Sequence, residues 1–174
     1  FLTSVLIAAI GEQMSLRDKV CTPVVIAVPV NLRAYFPSES ARNFFSLIQI
    51  TYSFAETPRP ALADIIAKVS ASFQKQLDIQ ALHRNMNRFA ALEYHMGTKL
   101  APLAVKNLAM RFANWMSEFQ VTAAVSNIGK IEMPEAVAAH IKGFDVFTST
   151  DRLQACVCSF ADRLTVSFSS PLLF

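Results

Sequence analysis

The sequence predicts an α/β (α+β) domain, a mixed β-sheet of about five or six strands with helices packed on one side of it. Three observations carry this. Val24 to Val30 is an uninterrupted apolar run rich in β-branched residues, the pattern of a strand buried on both faces. Residues 62 to 77 repeat apolar side chains at helical spacing, and from Phe119 onward the period changes to two. With 174 residues and no internal repeat or low-complexity linker, the chain reads as a single domain over 1–174.

The elements follow in order. Leu2, Val5, Leu6 and Ile10 fall close to i, i+3, i+4 spacing and predict a helix over 1–14, with Gly11 near its end and small Ala and Ser residues on the other side. After the strand at Val24 to Val30, Pro37-Ser38 supply a turn, and Leu47 to Phe54 alternate as a neighbouring strand. Thr57-Pro-Arg-Pro60 opens a helix whose stripe is Leu62, Ile65, Ile66, Val69, Phe73 and Leu77, with Asp64 and Lys68 spaced for an ion pair on the wet side. Asp78 to Met96 predicts a further helix directing Leu82, Met86, Phe89 and Met96 inward and stopped by Gly97. Leu103 to about Trp115 predicts another, with Leu108, Phe112 and Trp115 on one side.

In the last third, Phe119 to Val125 predicts a strand, Ser126-Asn-Ile-Gly129 a turn and Met133-Pro-Glu135 a short helical link. Ile141 to Phe147 and Leu153 to Phe160 read as strands, and Ala161-Asp-Arg163 as a hairpin loop. Leu164, Val166 and Phe168 then alternate with Thr165, Ser167 and Ser169, which predicts a half-buried strand with one polar face.

Composition narrows the function classes. Hydrophobic residues make up 53% and charged ones 17%, and mean hydropathy is +0.35, so the domain either has a large core or exposes an apolar face that meets something else. The second alternative predicts self-association of the isolated chain, as a homodimer. Net charge is +3, but Lys and Arg are scattered instead of forming a stripe, which argues against nucleic acid. The opening Phe1 to Ile10 run is too short to span a bilayer and lacks a signal peptide's basic flank, so no transmembrane segment is expected. A first residue that is not Met reads as a piece of a longer protein. Cys21, Cys156 and Cys158 have no spaced histidine partner, so they are read as packing residues of a reducing, cytoplasmic protein, and no metal is expected.

The stretch from Val28 to Phe45 changes character twice. Asn31 and Arg33 stand where one strand ends, and Arg42 and Asn43 where the next begins, so the two strand mouths bring amide and guanidinium groups close together. Local roles account for them without a ligand: the amides bond turn backbone, and Arg33 or Arg42 pairs with Glu39. The pattern P-V-N-L-R-x-x-F-P-S-x-S-x-R-N-F-F nevertheless resembles the carboxy-terminal half of the chloramphenicol acetyltransferase-like superfamily of coenzyme A-dependent acyltransferases, in its alcohol acetyltransferase and condensation-domain branch. Thr122 to Pro134 resembles the branch's T-x-x-x-S-N-x-G-x-x-x-x-P segment, and Gln154 to Phe168 its closing hairpin. Order and spacing agree over nearly the whole chain.

The resemblance implies two similar subdomains with a channel between them, of which this chain is the carboxy-terminal one and an amino-terminal subdomain of the same protein is its partner. It also implies transfer of an acyl group from a thioester, coenzyme A or a carrier-protein pantetheine arm, to an alcohol or amine. The thioester is a co-substrate of the parent, and no tightly bound cofactor is implied. Asn31, Arg33, Asn43, Ser126, Asn127 and Gly129 are the implied channel or inter-subdomain residues, although Ser-Asn-x-Gly also explains itself as a turn.

The family's general base is the second histidine of His-His-x-x-x-Asp-Gly, and that motif is missing. His83 and His95 have no acidic residue at the right offset, and after His140 the Asp arrives one residue late, at Asp145. A cationic pair from Lys99 and Lys106 suits a nucleotide phosphate or, more simply, a solvated helix face. Four glycines form no phosphate loop, and G-x-S-x-G and H-E-x-x-H are absent. No catalytic residue is therefore assigned, and the chain alone is expected to be inactive. A non-catalytic binding or structural module using the same half-fold is the alternative.

Overall fold

The computed structural model describes residues 1–39, 43–94, 102–118, 121–150 and 152–171. The helices are α1 (Leu2–Gln13), α2 (Leu16–Cys21), α3 (Leu62–Gln76), α4 (Ile79–Tyr94), α5 (Leu103–Glu118) and α6 (Glu135–Ala138). The strands are β1 (Val24–Asn31), β2 (Phe45–Tyr52), β3 (Ala123–Lys130), β4 (Leu153–Phe160) and β5 (Arg163–Ser169). They form one five-stranded sheet in the order β2-β1-β3-β4-β5. The outer pairs are antiparallel and the inner pairs, β1 with β3 and β3 with β4, are parallel. The fold is thus α+β with a mixed sheet, the class the sequence predicts.

Helices α1 and α3 pack on each other and on β1 and β2. Ile7 from α1 and Ile65 and Val69 from α3 meet Val24, Ile26, Ile48 and Ile50 from the sheet, all almost fully buried. Each such side chain contributes about 1.5–3 kcal/mol. Gly11 lies in the last turn of α1, near its end as the spacing predicts, and its role is close approach: a Cβ there would stand 2.4 Å from Phe54 Cζ. Lys68 does not pair with Asp64. Its Nζ lies 3.5 Å from Glu56 Oε2 and 5.6 Å from the centre of the Tyr52 ring, so α3 is tied to the end of β2 instead of to itself.

The six-residue helix α2 has no counterpart in the periodicity, being too short to show one. Its signal is local. Ser15 Oγ accepts from Asp18 N–H, which caps the helix, and the same hydroxyl donates to the Asp18 carboxylate. Met96, Gly97, Lys99 and Phe119 lie outside the described residues.

The other sheet face, over β4 and β5, is crossed by the connection from β3 to β4. Parallel neighbours need such a crossover. The Phe144 ring meets Phe160 edge-on at 5.1 Å, Cys158 donates its S–H to the Phe144 carbonyl, and Thr148 Oγ1 lies 3.8 Å from Cys156 Sγ. Residues 141 to 147 are not a strand: they join no ladder, and Phe144 among them covers a sheet face instead of pairing with an edge.

That strap also decides which side of β5 is buried. Ser167, opposite Cys156, is buried beneath it. Leu164, Val166 and Phe168 point to the face shared with Ala155 and Val157, beyond the cover of α1 and α3, and are 62%, 40% and 58% exposed. The alternation is as predicted, but the polar side is the more enclosed one.

Candidate functional site: the mouth between β1 and β3

The site follows from the proline in β1. Val25 directs both backbone groups at Thr122: Val25 N–H donates to Thr122 Oγ1 at 3.1 Å, and Thr122 N–H donates to Val25 O at 2.8 Å. Backbone direction alternates along a strand, so Ala27 and Pro29 face β3 as well. Pro29 has no N–H to donate. Pairing between β1 and β3 accordingly stops at Ala27 and Ala124, whereas β1 stays paired with β2 to Asn31 and β3 stays paired with β4 to Lys130. Beyond Ala27 and Ala124 no ladder pair joins these two parallel strands, at their carboxyl ends, where ligands bind in open α/β sheets.

On the β1 side, Asn31 Oδ1 accepts from Arg33 N–H at 3.0 Å and so caps a single 3-10 turn, Leu32–Ala34. Leu32, buried, donates its N–H to Phe44 O at 3.1 Å and fastens the end of β1 to the start of β2. Asn31, Arg33 and Asn43 are thereby held at one corner of the sheet, all exposed. His83 on α4 meets the Phe36 ring edge-on at 4.7 Å, which anchors the chain as it leaves that corner.

On the β3 side, Ser126, Asn127 and Gly129 are not in a turn between elements. They lie within β3, paired with Cys156, Val157 and Cys158, and the register shift at Ile128 makes a β-bulge. Asn127 Oδ1 accepts from Gly129 N–H at 3.0 Å, and Gly129 has φ +85°, the left-handed region open to glycine. The turn signal in Ser-Asn-Ile-Gly is real, but it is spent on a one-residue bulge because β4 pairs with the chain on both sides of it.

Since β1 and β3 are parallel, all six predicted residues lie at the same end of the sheet. Asn31 and Asn127 turn their side-chain oxygens onto neighbouring backbone, which fixes their orientation. The strand ends also carry exposed Phe45, Leu47 and Ile128, giving the mouth apolar margins. At the exit of β3, Lys130 Nζ lies 2.9 Å from Glu132 Oε1, and this hydrogen bond and charge pairing hold the lysine above and the glutamate below their ordinary pKa values. Amides, a hydroxyl and a guanidinium do not exchange protons near neutrality, so the six residues can orient and polarise a bound group but not act as its base.

The sequence reading missed Pro29, although a proline inside a run taken for a central strand was the available signal. His140 is exposed at the end of α6, and His95 lies outside the described residues. Among the described residues no cluster of His, Cys, Asp and Glu could hold a metal ion. No helix among them is long and apolar enough to cross a membrane. Comparison with known protein families, curated proteins and solved structures finds no match.

Proposed function

We propose that this chain is the carboxy-terminal subdomain of an acyltransferase that moves an acyl group from a thioester, coenzyme A or a carrier-protein pantetheine arm, to an alcohol or amine. The observation that supports this most is the unpaired mouth past Ala27 and Ala124, with Asn31, Arg33, Asn43, Ser126, Asn127 and Gly129 at one end of the sheet. An opening with fixed polar groups and apolar margins suits one wall of a cleft. The other wall, on this reading, is an amino-terminal subdomain that brings the histidine base, so the chain alone is inactive.

In the proposed division of labour, the mouth holds and orients the acyl donor or acceptor through neutral hydrogen bonds. The base on the partner subdomain takes the proton of the acceptor as it attacks the thioester carbonyl, and the thiolate leaves. Three free cysteines, Cys21 among them exposed, fit a reducing cytoplasm. The test is the full-length protein: a His-His-x-x-x-Asp-Gly segment upstream of Phe1, with thiol release from acetyl-coenzyme A that depends on it, is the expected result. Absence of both the motif and the activity would leave the binding-module reading in its place.

A further inference from the structure

Helix α5 exposes the side chains that a helix of a folded domain normally buries. Val105, Leu108 and Phe112, at i, i+3 and i+7, share one side of it, and they are 55%, 70% and 58% exposed. By the same spacing Lys106 falls on the other side, and it is the one half-buried residue among the described side chains of α5. The apolar stripe therefore faces outwards. Helix α4, which precedes α5 in the chain, does the opposite and buries Leu82 completely.

Charge is segregated to the same region. Lys and Arg are spread along the chain, but from Ile79 to Glu118 five of them, Arg84, Arg88, Lys99, Lys106 and Arg111, are set against only two carboxylates, Glu93 and Glu118. Outside that stretch eleven Lys and Arg are matched by eleven Asp and Glu, so the net charge of +3 belongs entirely to this segment. Arg111 is exposed, stands three residues after Leu108 and borders the stripe. Trp115, the chain's single tryptophan, continues the stripe's spacing in the sequence.

We propose that α5 lies on an anionic lipid surface, with Val105, Leu108 and Phe112 at the boundary of the acyl chains and Arg111 among the headgroup phosphates. The helix rests in the plane of the surface, in keeping with the finding that no described helix is long and apolar enough to cross a membrane. An interface with another part of the protein has no need of excess charge of one sign, whereas anionic lipid attracts each added cation. An outward stripe, an arginine at its border and a segment that holds all the net charge favour the lipid. This surface is independent of the acyl-transfer reading.

The experiment is co-sedimentation of the 174-residue chain with vesicles of phosphatidylcholine containing phosphatidylserine and with vesicles of phosphatidylcholine alone, read together with the emission of Trp115. Binding to the anionic vesicles with a blue shift of Trp115 is expected, weaker by about tenfold or more on neutral vesicles and falling as salt rises. Leu108→Ser should weaken binding to the anionic vesicles by about tenfold or more, and Arg111→Ala by about fivefold. Both positions are exposed, so neither change disturbs the core. The full-length protein should bind the same vesicles. The proposal is overturned by no binding to anionic vesicles, by equal binding to neutral ones, by binding without the blue shift, or by affinity unchanged in folded Leu108→Ser and Arg111→Ala variants. It is also overturned by a blue shift that grows with protein concentration in the absence of vesicles, which places a second copy on the stripe. Failure of the full-length protein to bind overturns it too, because its other subdomain then covers the stripe.

Discussion

The side-chain amide of Gln76 bonds both backbone groups of Gln49 on the outer edge of β2: Nε2 donates to Gln49 O at 2.6 Å, and Oε1 accepts from Gln49 N–H at 3.2 Å. A residue at the end of α3 thus stands in for the next strand at one position of the β2 edge. Gln76→Ala should cost about 0.5–1.5 kcal/mol in denaturant unfolding. Hydrogen exchange at Gln49 N–H should quicken while Ile48 and Ile50, bonded towards β1, keep their protection.

The opposite edge is treated differently. No described residue pairs with the outer side of β5, and beside that edge Leu164, Val166 and Phe168 stand exposed on one face of the sheet as an apolar row. The isolated chain is expected to self-associate there, as a homodimer. Sedimentation should show a concentration-dependent dimer, and Val166→Lys should return it to monomer with the far-UV spectrum unchanged. A monodisperse monomer at high concentration, or a dimer indifferent to Val166→Lys, would rule out this edge.

Ser4 presents a second stability test. Its Oγ is buried on α1 with no hydrogen-bond partner, a group that costs about 1–3 kcal/mol where it sits. Ser4→Ala removes the unpaired hydroxyl and improves helix propensity. The expected result is a gain of about 1 kcal/mol, seen as a melting temperature higher by about 2–4 °C. An unchanged or lower melting temperature would mean that the hydroxyl is solvated or bonded in solution.

The pair at the exit of β3 gives a pH test. Glu132 titrates below its ordinary range because of Lys130, so the pair's contribution is present above the ordinary glutamate pKa and is lost as pH falls through the depressed one. Lys130 titrates above its ordinary range, so the same contribution is lost again as pH rises through that raised value. Both groups are exposed, and the effect on stability is small. Carboxyl-carbon NMR should show the Glu132 titration move up to its ordinary position in Lys130→Ala. If it stays put, the depression has another cause.

The fold class was legible because strong periodicities mark its central parts. The stripe of α3 and the β-branched run of β1 each stand out against their surroundings. Facing was less so. A period of two says that β5 has two unlike sides, but which side is enclosed depended on where the residues after α6 would cross, and nothing local fixes that. The same crossing misled the reading of 141 to 147, whose apolar residues serve a cover as well as they would a strand. At the mouth, the polar residues were found as a group. Their geometry rested on Pro29 and on Gly129, where a missing donor and a left-handed backbone convert an expected continuous ladder and turn into an unpaired mouth and a bulge.

The most direct test of the mouth as one wall of an acyl-transfer cleft is thiol release from acetyl-coenzyme A by the full-length protein, with a panel of primary alcohols and amines, for wild type and Asn127→Ala. Acceptor-dependent release that falls by about tenfold or more in a folded Asn127→Ala protein is the predicted result. No acceptor-dependent release by the wild type, or a rate indifferent to Asn127→Ala, would contradict it.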